Sequence, residues 1–285
     1  MVYYLLVIWL CSGCGLFFIY NDGFALYKGE GKKMLIFLDL ETTGLEAKDK
    51  IVSIGLIAVG AQEITTKYDL VYEGKKISPK ASSINHITNE MLKNKPKLQE
   101  SEAYKFLCEY NLPTTTLVSH NIKYNLQMLL ACGFTFLGNV IDTLRVSKHL
   151  IPECEGYSLQ LLRYELKLYK SEKAQSLACA VSTSEEVLLG CAIENVLLAH
   201  HALHDAVIVK ILYEYLLESA TKEEMTALSF KNVLMQKFEF GKYSGRYIEE
   251  ISVCDRGYLE WMLANILDLN EDLKYSIDYY LQANL

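Results

Sequence analysis

The sequence predicts an α/β fold with a mixed sheet, and three observations carry that expectation. Short apolar runs that read as strands gather early in the chain. Helical spacing then alternates with further strands. The composition, 51% apolar over 285 residues, supplies a sizeable core for one large domain and a small one.

From Met34 the elements follow in order. MLIFLDL is a short apolar run of the kind a buried strand shows, ETTGL supplies turn chemistry with Gly44, and IVSIGLIAV reads as a second strand. ITTKYDLVY predicts a third strand, followed by a polar loop and a helix around residues 99–110. TTLVSH is a short strand leading into a helix over SHNIKYNLQMLL, where Leu126, Leu129 and Leu130 fall on one side. NVIDTL is another short element, and HALHDAVIVKILYEYLLES a long amphipathic helix. Internal repeats and low-complexity tracts are absent.

The first 33 residues differ from the rest. VYYLLVIWLCSGCGLFFIY is about 19 nearly uninterrupted apolar residues, long enough for a membrane helix. Lys28, Lys32 and Lys33 follow it, which would leave the remaining chain in the cytoplasm. No Lys or Arg precedes the apolar run, against a secretory signal, and apolar residues continue past Cys14, against a lipoprotein site. A third reading is that Met34 is the true initiator, because GEGKK is encodable as a purine-rich ribosome-binding sequence at suitable spacing before it. Residues 1–33 are thus an upstream extension or a membrane anchor, and the rest is expected in the cytoplasm.

Eight cysteines are scattered, with one CxxC pair (Cys11, Cys14) and no second pair to complete a metal site. Free thiols in a reducing compartment fit that pattern. The net charge of −7 excludes a broad basic surface for coating nucleic acid, so any nucleic acid must be held locally or through metal ions.

Asp39 and Glu41 flank Leu40 at the end of the first strand, and strand residues two apart project from one face. Two acids side by side repel unless a cation lies between them. Oxygen ligands point to Mg²⁺ or Mn²⁺ rather than zinc, the alternative being two solvated acids at an exposed strand end. In AHHALHDA, Asp205 opens a long helix with His200 five residues before it. Five residues of helix turn through about 500°, so His200 belongs on the loop ahead of the helix, where its imidazole can accept a proton near neutral pH. A zinc pair from His200 and His204 lacks the HExxH glutamate and a third soft ligand.

FLDLETTGL, SHNIKYNLQML and HHALHDA, in that order, resemble the three exonuclease motifs of the DnaQ-like superfamily, the class with four acidic ligands and a histidine. ISPKASSINHITNEMLKNKP resembles the loop these enzymes carry between the first two motifs. FEFGKYSGRYIEEISVCDRGYLEWMLANILDLNEDLKYSIDYYL resembles the C-terminal module of the exodeoxyribonuclease X subfamily.

The resemblance implies a ribonuclease H-like mixed sheet flanked by helices over residues 34–220, with an apparent insertion near 170–198, and a small α+β module over 230–285. It implies a 3′ to 5′ exonuclease that hydrolyses phosphodiesters at DNA 3′ ends and releases nucleoside 5′-monophosphates in repair or replication. It further implies single strands as the preferred substrate, leaves RNA open, and makes the C-terminal module a place for a replication or repair partner. Two Mg²⁺ are the implied cofactors, with Mn²⁺ as substitute. Carried over by motif, Asp39 bridges both ions, Glu41 and Asp205 complete the first site, Asn125 stands at the ligand position of the second, and His200 is general base.

Thr42, Thr43, Gly44 and Leu45 fall where the family places the terminal nucleotide, and His120 and Asn121 stand where they either touch substrate or cap the motif-two helix. His86 is a loop histidine with a possible approach to substrate, and Asp142 is the carboxylate nearest to compensating for Asn125. An amide ligates a hard cation without bringing charge, so the second expectation is a weakened relative that binds nucleic acid or a partner and cuts poorly.

Overall fold

Alternation along the first strand from Met34 sorts its side chains onto two different cores. In β3 (Met34–Thr42), Met34, Ile36, Leu38 and Leu40 pack on one side of the sheet, and Phe37 with Leu35 packs on the other. Asp39 and Glu41 continue the Phe37 side beyond the end of that core.

The computed structural model describes residues 34–46, 48–61, 63–170 and 197–283, and the backbone of two strands ahead of them, β1 (Phe17–Tyr20) and β2 (Gly23–Leu26). These two pair antiparallel as a hairpin. The rest of the apolar N-terminal run, and nearly all of the insertion near 170–198 with its expected helix, lie outside the described residues. Among the described residues no helix is long and apolar enough to cross a membrane.

The main sheet has the order β5-β4-β3-β6-β7, with β4 (Ile51–Val59), β5 (Ile64–Leu70), β6 (Thr115–Ser119) and β7 (Asn139–Asp142). β3, β4 and β5 are antiparallel neighbours, and β6 and β7 add in parallel on the far side of β3. The predicted mixed sheet is therefore observed. β4 is buried along nearly its whole length because both sheet faces are covered, which is why IVSIGLIAV is continuously apolar.

One face carries α2 (Glu102–Glu109) and α3 (Ile122–Ala131), after a short α1 (Pro79–Asn85). The buried set of α3 is Ile122, Asn125, Met128 and Leu129. Leu130 is exposed, so the expected Leu126, Leu129 and Leu130 face is rotated: contact with the sheet is centred on Asn125 and Leu129.

The other face carries α4 (Thr143–Leu150), α5 (Leu159–Glu165) and the long α6 (Ala202–Leu216). The expected amphipathic character of α6 is not seen. Every residue from Ala202 to Tyr213 is buried, because the sheet, α4 and α5 enclose it on several sides. Lys210, buried there, pairs with Glu214 at 2.5 Å.

After α7 (Lys222–Leu228) the chain makes a second small core from Phe238, Ile248, Ile251, Leu259, Met262, Leu273, Ile277 and Leu281. It is built by α8 (Ile248–Cys254), α9 (Arg256–Asn265) and α10 (Glu271–Ala283). The β part of the expected α+β module is reduced to two isolated bridges, Lys237 with Tyr247 and Phe238 with Ser244, so the region is essentially helical. Arg145 of α4 forks onto both oxygens of Asp272 at 3.0 and 2.9 Å and joins this core to the large one.

Candidate active site

Gly55 decides where the site can form. It pairs with Asp39 across the β3–β4 ladder, and a Cβ built on it would lie 2.2 Å from the backbone nitrogen of Leu203. Only a residue without a side chain lets the first turn of α6 rest on the sheet here. That approach carries Asp205 to the two acids of β3, and a bulge between Glu41 and Thr42 ends the ladder just beyond them.

One ligand atom each from Glu41, His200 and Asp205 lies within 4.8 Å of the others. Asp205 is buried, Glu41 partly exposed and His200 exposed. Burial raises the Asp39 carboxyl well above its usual range, and the charges of Asp205 and Glu41 add to the shift, while the Asn125 amide opposes it. Glu41 is pushed up to about 8 by burial and then by Asp205, with the Asn85 amide drawing it back. Asp205 rises to about 7 through burial, against the His200 backbone N–H, the Arg163 charge and the Gln160 amide.

No ion pair among the described residues involves these three carboxylates. Acids gathered in this way and lacking a cationic neighbour in contact fit a divalent cation held by oxygen ligands.

A pH prediction follows. The ordinary values are 4.5 for Glu41 and 3.8 for Asp205, so between these and the raised values the folded metal-free chain holds more protons than the unfolded one. Raised folded values mean stability that falls as pH climbs. Melting in chelator should drop in temperature from about pH 5 to about pH 8, and the upward shift caused by Mn²⁺ should grow over the same window. A metal-free profile that rises over that window would count against the acid cluster.

His200 sits on the loop ahead of α6 with φ 58°, and its N–H turns back onto the Asp205 carboxylate. Burial lowers its pKa and nearby His86 lowers it further, so the ring is neutral and able to accept a proton at neutral pH. His204, the other residue of the alternative zinc pair, is engaged elsewhere through Nδ1. The Nδ1 of His204 accepts the Leu198 N–H at 3.0 Å, and its ring stacks on His201, the N-cap of α6.

Asn125 is 2% exposed and donates through Nδ2 to Ser119 Oγ at 2.5 Å. The structure thus brings Asp39, Glu41, Asn125, His200 and Asp205 together at one end of the sheet. The other expected site residues divide by exposure. Leu45 is 85% exposed at the tip of the loop after β3. Thr42 donates to the Gly44 carbonyl at 2.6 Å and bonds the Tyr124 hydroxyl at 2.8 Å. Thr43 is buried and donates to Asp49, while Gly44 leaves no room for a Cβ against the same carboxylate. Burial and the charge of Lys75, at 2.6 Å, act oppositely on Asp49, whose pKa ends at about 2. Thr43 and Gly44 therefore shape the loop, and Leu45 is what it presents.

His120 has both ring nitrogens engaged, with Thr143 Oγ1 at 3.0 Å and the Tyr157 carbonyl at 2.7 Å, and burial pulls its pKa down to about 4. Substrate contact by His120 is replaced by a bracing role. Asn121 occupies the N-cap position of α3 but makes no side-chain cap; its own N–H is held by Asp142 at 3.0 Å. Asp142 also caps α4 through Leu144, so it has no freedom to compensate for Asn125.

Four residues at the site escaped the sequence reading. Gly55 has no signal beyond being a glycine inside a strand. Asn85, buried at the end of α1, bonds the Thr42 carbonyl at 3.3 Å and touches Glu41. Gln160 and Arg163 come from α5, which no motif marks. Next to Asn85, His86 closes α1 at φ 58°, a left-handed position that suits glycine. His86→Gly should raise stability by about 0.5–1 kcal/mol, read as a higher melting temperature; an unchanged or lower value would show the ring to be structurally needed.

Family models take in Asp39, Glu41 and Asn125, while His200 and Asp205 fall between the two matched stretches. The Exonuclease family model (RNase T) matches residues 36–177, spanning β3 and the motif-two helix, and the exodeoxyribonuclease X-like C-terminal model matches residues 238–266. The chain belongs to the exonuclease family. Exodeoxyribonuclease 10 of Escherichia coli K12 is 27% identical over 252 residues, covering 87% of this chain and 99% of that one. The DNA polymerase III subunit epsilon of Treponema pallidum is 28% identical over 177 residues, covering 58% of this chain and 76% of its own. Among solved structures, exonuclease X in complex with 5′-overhanging duplex DNA aligns at TM-score 0.50 and 24% identity, over 68% of this chain and 99% of that one, a likeness of fold. Within the matched residues a carboxamide, Asn125, stands beside Asp39 where the motif resemblance leads one to expect a carboxylate.

Proposed function

We propose that the chain is a metal-dependent 3′ to 5′ exodeoxyribonuclease acting in DNA repair or replication, with its reaction centre at Asp39, Glu41, Asn125, His200 and Asp205. The observation that carries this reading is the meeting of the β3 acids with Asp205 and an exposed imidazole, in a chain whose relatives are exonucleases.

Asp39, Glu41 and Asp205 would hold divalent cations, two Mg²⁺ in the fullest form, with Asn125 offering Oδ1 to the second. When bound, such ions stabilise the attacking and leaving oxygens of an in-line displacement. His200 takes the proton of the attacking water as its oxygen bonds to phosphorus. The bond to the 3′ oxygen of the preceding nucleotide breaks, that oxygen takes up a proton from solvent, and a nucleoside 5′-monophosphate leaves. The Asn85 amide steadies Glu41, and the Thr42–Tyr124 pair fixes the loop that presents Leu45 to the terminal nucleotide.

The similarity to exodeoxyribonuclease 10, and to exonuclease X in complex with 5′-overhanging duplex DNA, supports a DNA strand with a 3′ end as substrate. A 5′-labelled strand should shorten one nucleotide at a time and release nucleoside 5′-monophosphates in Mg²⁺ or Mn²⁺. Asp39→Ala should abolish this, and a 2′-hydroxyl version of the same strand tests the preference for DNA. Wild type no faster than Asp39→Ala would favour the second reading, a binding protein weakened at Asn125.

A further inference from the structure

We propose that Gln160 and Arg163 of α5 form a clamp that sets Asp205 and the His200 loop in the arrangement that captures a divalent cation. The inference rests on the exonuclease reading and adds two positioning residues to it.

Gln160 donates from Nε2 to Asp205 Oδ1 at 2.6 Å. Its Oε1 accepts from Arg163 Nη1 at 3.2 Å, and the same nitrogen donates to the Leu197 carbonyl at 2.9 Å. A guanidinium has donors only, so the oxygen of the Gln160 amide must face Arg163 and its nitrogen must face Asp205. The amide orientation is thereby fixed by chemistry.

Leu197 begins the segment that leads to His200, and Asp205 follows it in the first turn of α6. The two α5 side chains thus grip this loop at both ends. Between the grips, the His200 N–H bonds the Asp205 carboxylate, and that requirement accounts for the left-handed backbone at a histidine. One lone pair of Asp205 is given to Gln160 and another to His200, leaving the rest for a cation shared with Glu41.

Arg163 is 2% exposed, and its charge favours the Asp205 carboxylate across space, with the Gln160 amide bonded to both and no ion pair between them. A direct ion pair would compete with a divalent ion for the carboxylate. An interposed amide orients Asp205 and leaves its charge available, as partners beyond the ligands do in metal sites.

The test measures Mn²⁺ affinity of the full chain by the paramagnetic resonance of free Mn²⁺, independently of hydrolysis. Gln160→Met keeps the side-chain volume and removes both hydrogen bonds. It should bind Mn²⁺ roughly 10- to 100-fold more weakly. At limiting Mn²⁺ its kcat should fall with an unchanged KM for a DNA strand, saturating Mn²⁺ should restore kcat, and the metal-free chain should still melt cooperatively, at a lower temperature.

Arg163→Lys, which keeps the charge but loses the fork, should fall between wild type and Gln160→Met. Wild-type Mn²⁺ affinity in Gln160→Met overturns the clamp. A chain that binds Mn²⁺ but digests no DNA overturns the reaction assigned above, and the affinity ratio still decides the clamp.

Discussion

Asn125→Asp should raise the rate of 3′-end hydrolysis at low Mg²⁺ roughly tenfold or more, and the gain should shrink when Mn²⁺ replaces Mg²⁺. In the structure the Asn125 amide turns its nitrogen to the Ser119 hydroxyl and opposes the upward shift of Asp39, so it acts on Asp39 as a donor. To ligate a cation it must offer its oxygen instead, and that oxygen carries no charge. A carboxylate there supplies the charge and an acceptor for Ser119 together. Without metal the same change adds a fourth buried acid, so the chelator-treated variant should melt below wild type even as the loaded one turns over faster. Equal rates for wild type and Asn125→Asp at low Mg²⁺ would remove the idea that the amide limits the second ion.

Gly55→Ala should be among the most damaging single methyl additions in the large domain. The added carbon would meet the Ala202–Leu203 backbone at 2.2 to 2.5 Å, and neither a central strand nor a helix enclosed on several sides can move far. A loss of about 3 kcal/mol of stability is expected. Activity should fall further than stability explains, because any retreat of α6 takes Asp205 away from Asp39 and Glu41. Chemical denaturation gives the first number, and Mn²⁺ affinity of the fraction that still folds gives the second. A folded Gly55→Ala with normal affinity would show that the contact does not set the position of Asp205.

Strands and acids were legible in the sequence for a shared reason. MLIFLDLET has a period of two that sorts its own side chains, so the convergence of Asp39 and Glu41 could be read without knowing any neighbour. The place of His200 on a loop followed from helical geometry alone. What could not be read depends on partners distant in the chain. The rotation of α3 is set by which residues meet the sheet, and the envelope of α6 by α4 and α5, so helical spacing assigned the wrong face to Leu130 and a polar face to α6 that is not there. His120 and Thr43 carry polar groups suited to substrate, but their hydrogen bonds reach 37 residues and 6 residues along the chain. Gln160 lies 45 residues from Asp205, and no local pattern announces that pairing.

The fork from Arg145 to Asp272 bears on protein engineering. The stretch between the two cores is stitched at several points: the Ser229 hydroxyl accepts the Asp142 N–H at 2.8 Å, Asp272 accepts the Val233 N–H at 2.9 Å, and Ser276 accepts the Met235 N–H at 2.7 Å. Asp142 in turn holds the N–H of Asn121 at the head of the motif-two helix. A minimal catalytic fragment ending after α7 would strip Arg145 of its carboxylate and remove Val233, which lines the same pocket as Leu144, leaving Leu144 open to water. Shortened versions of this enzyme should therefore be designed with Arg145 and Leu144 recoloured for water, since the boundary between the two family matches is a seam in the sequence rather than a clean edge in the molecule.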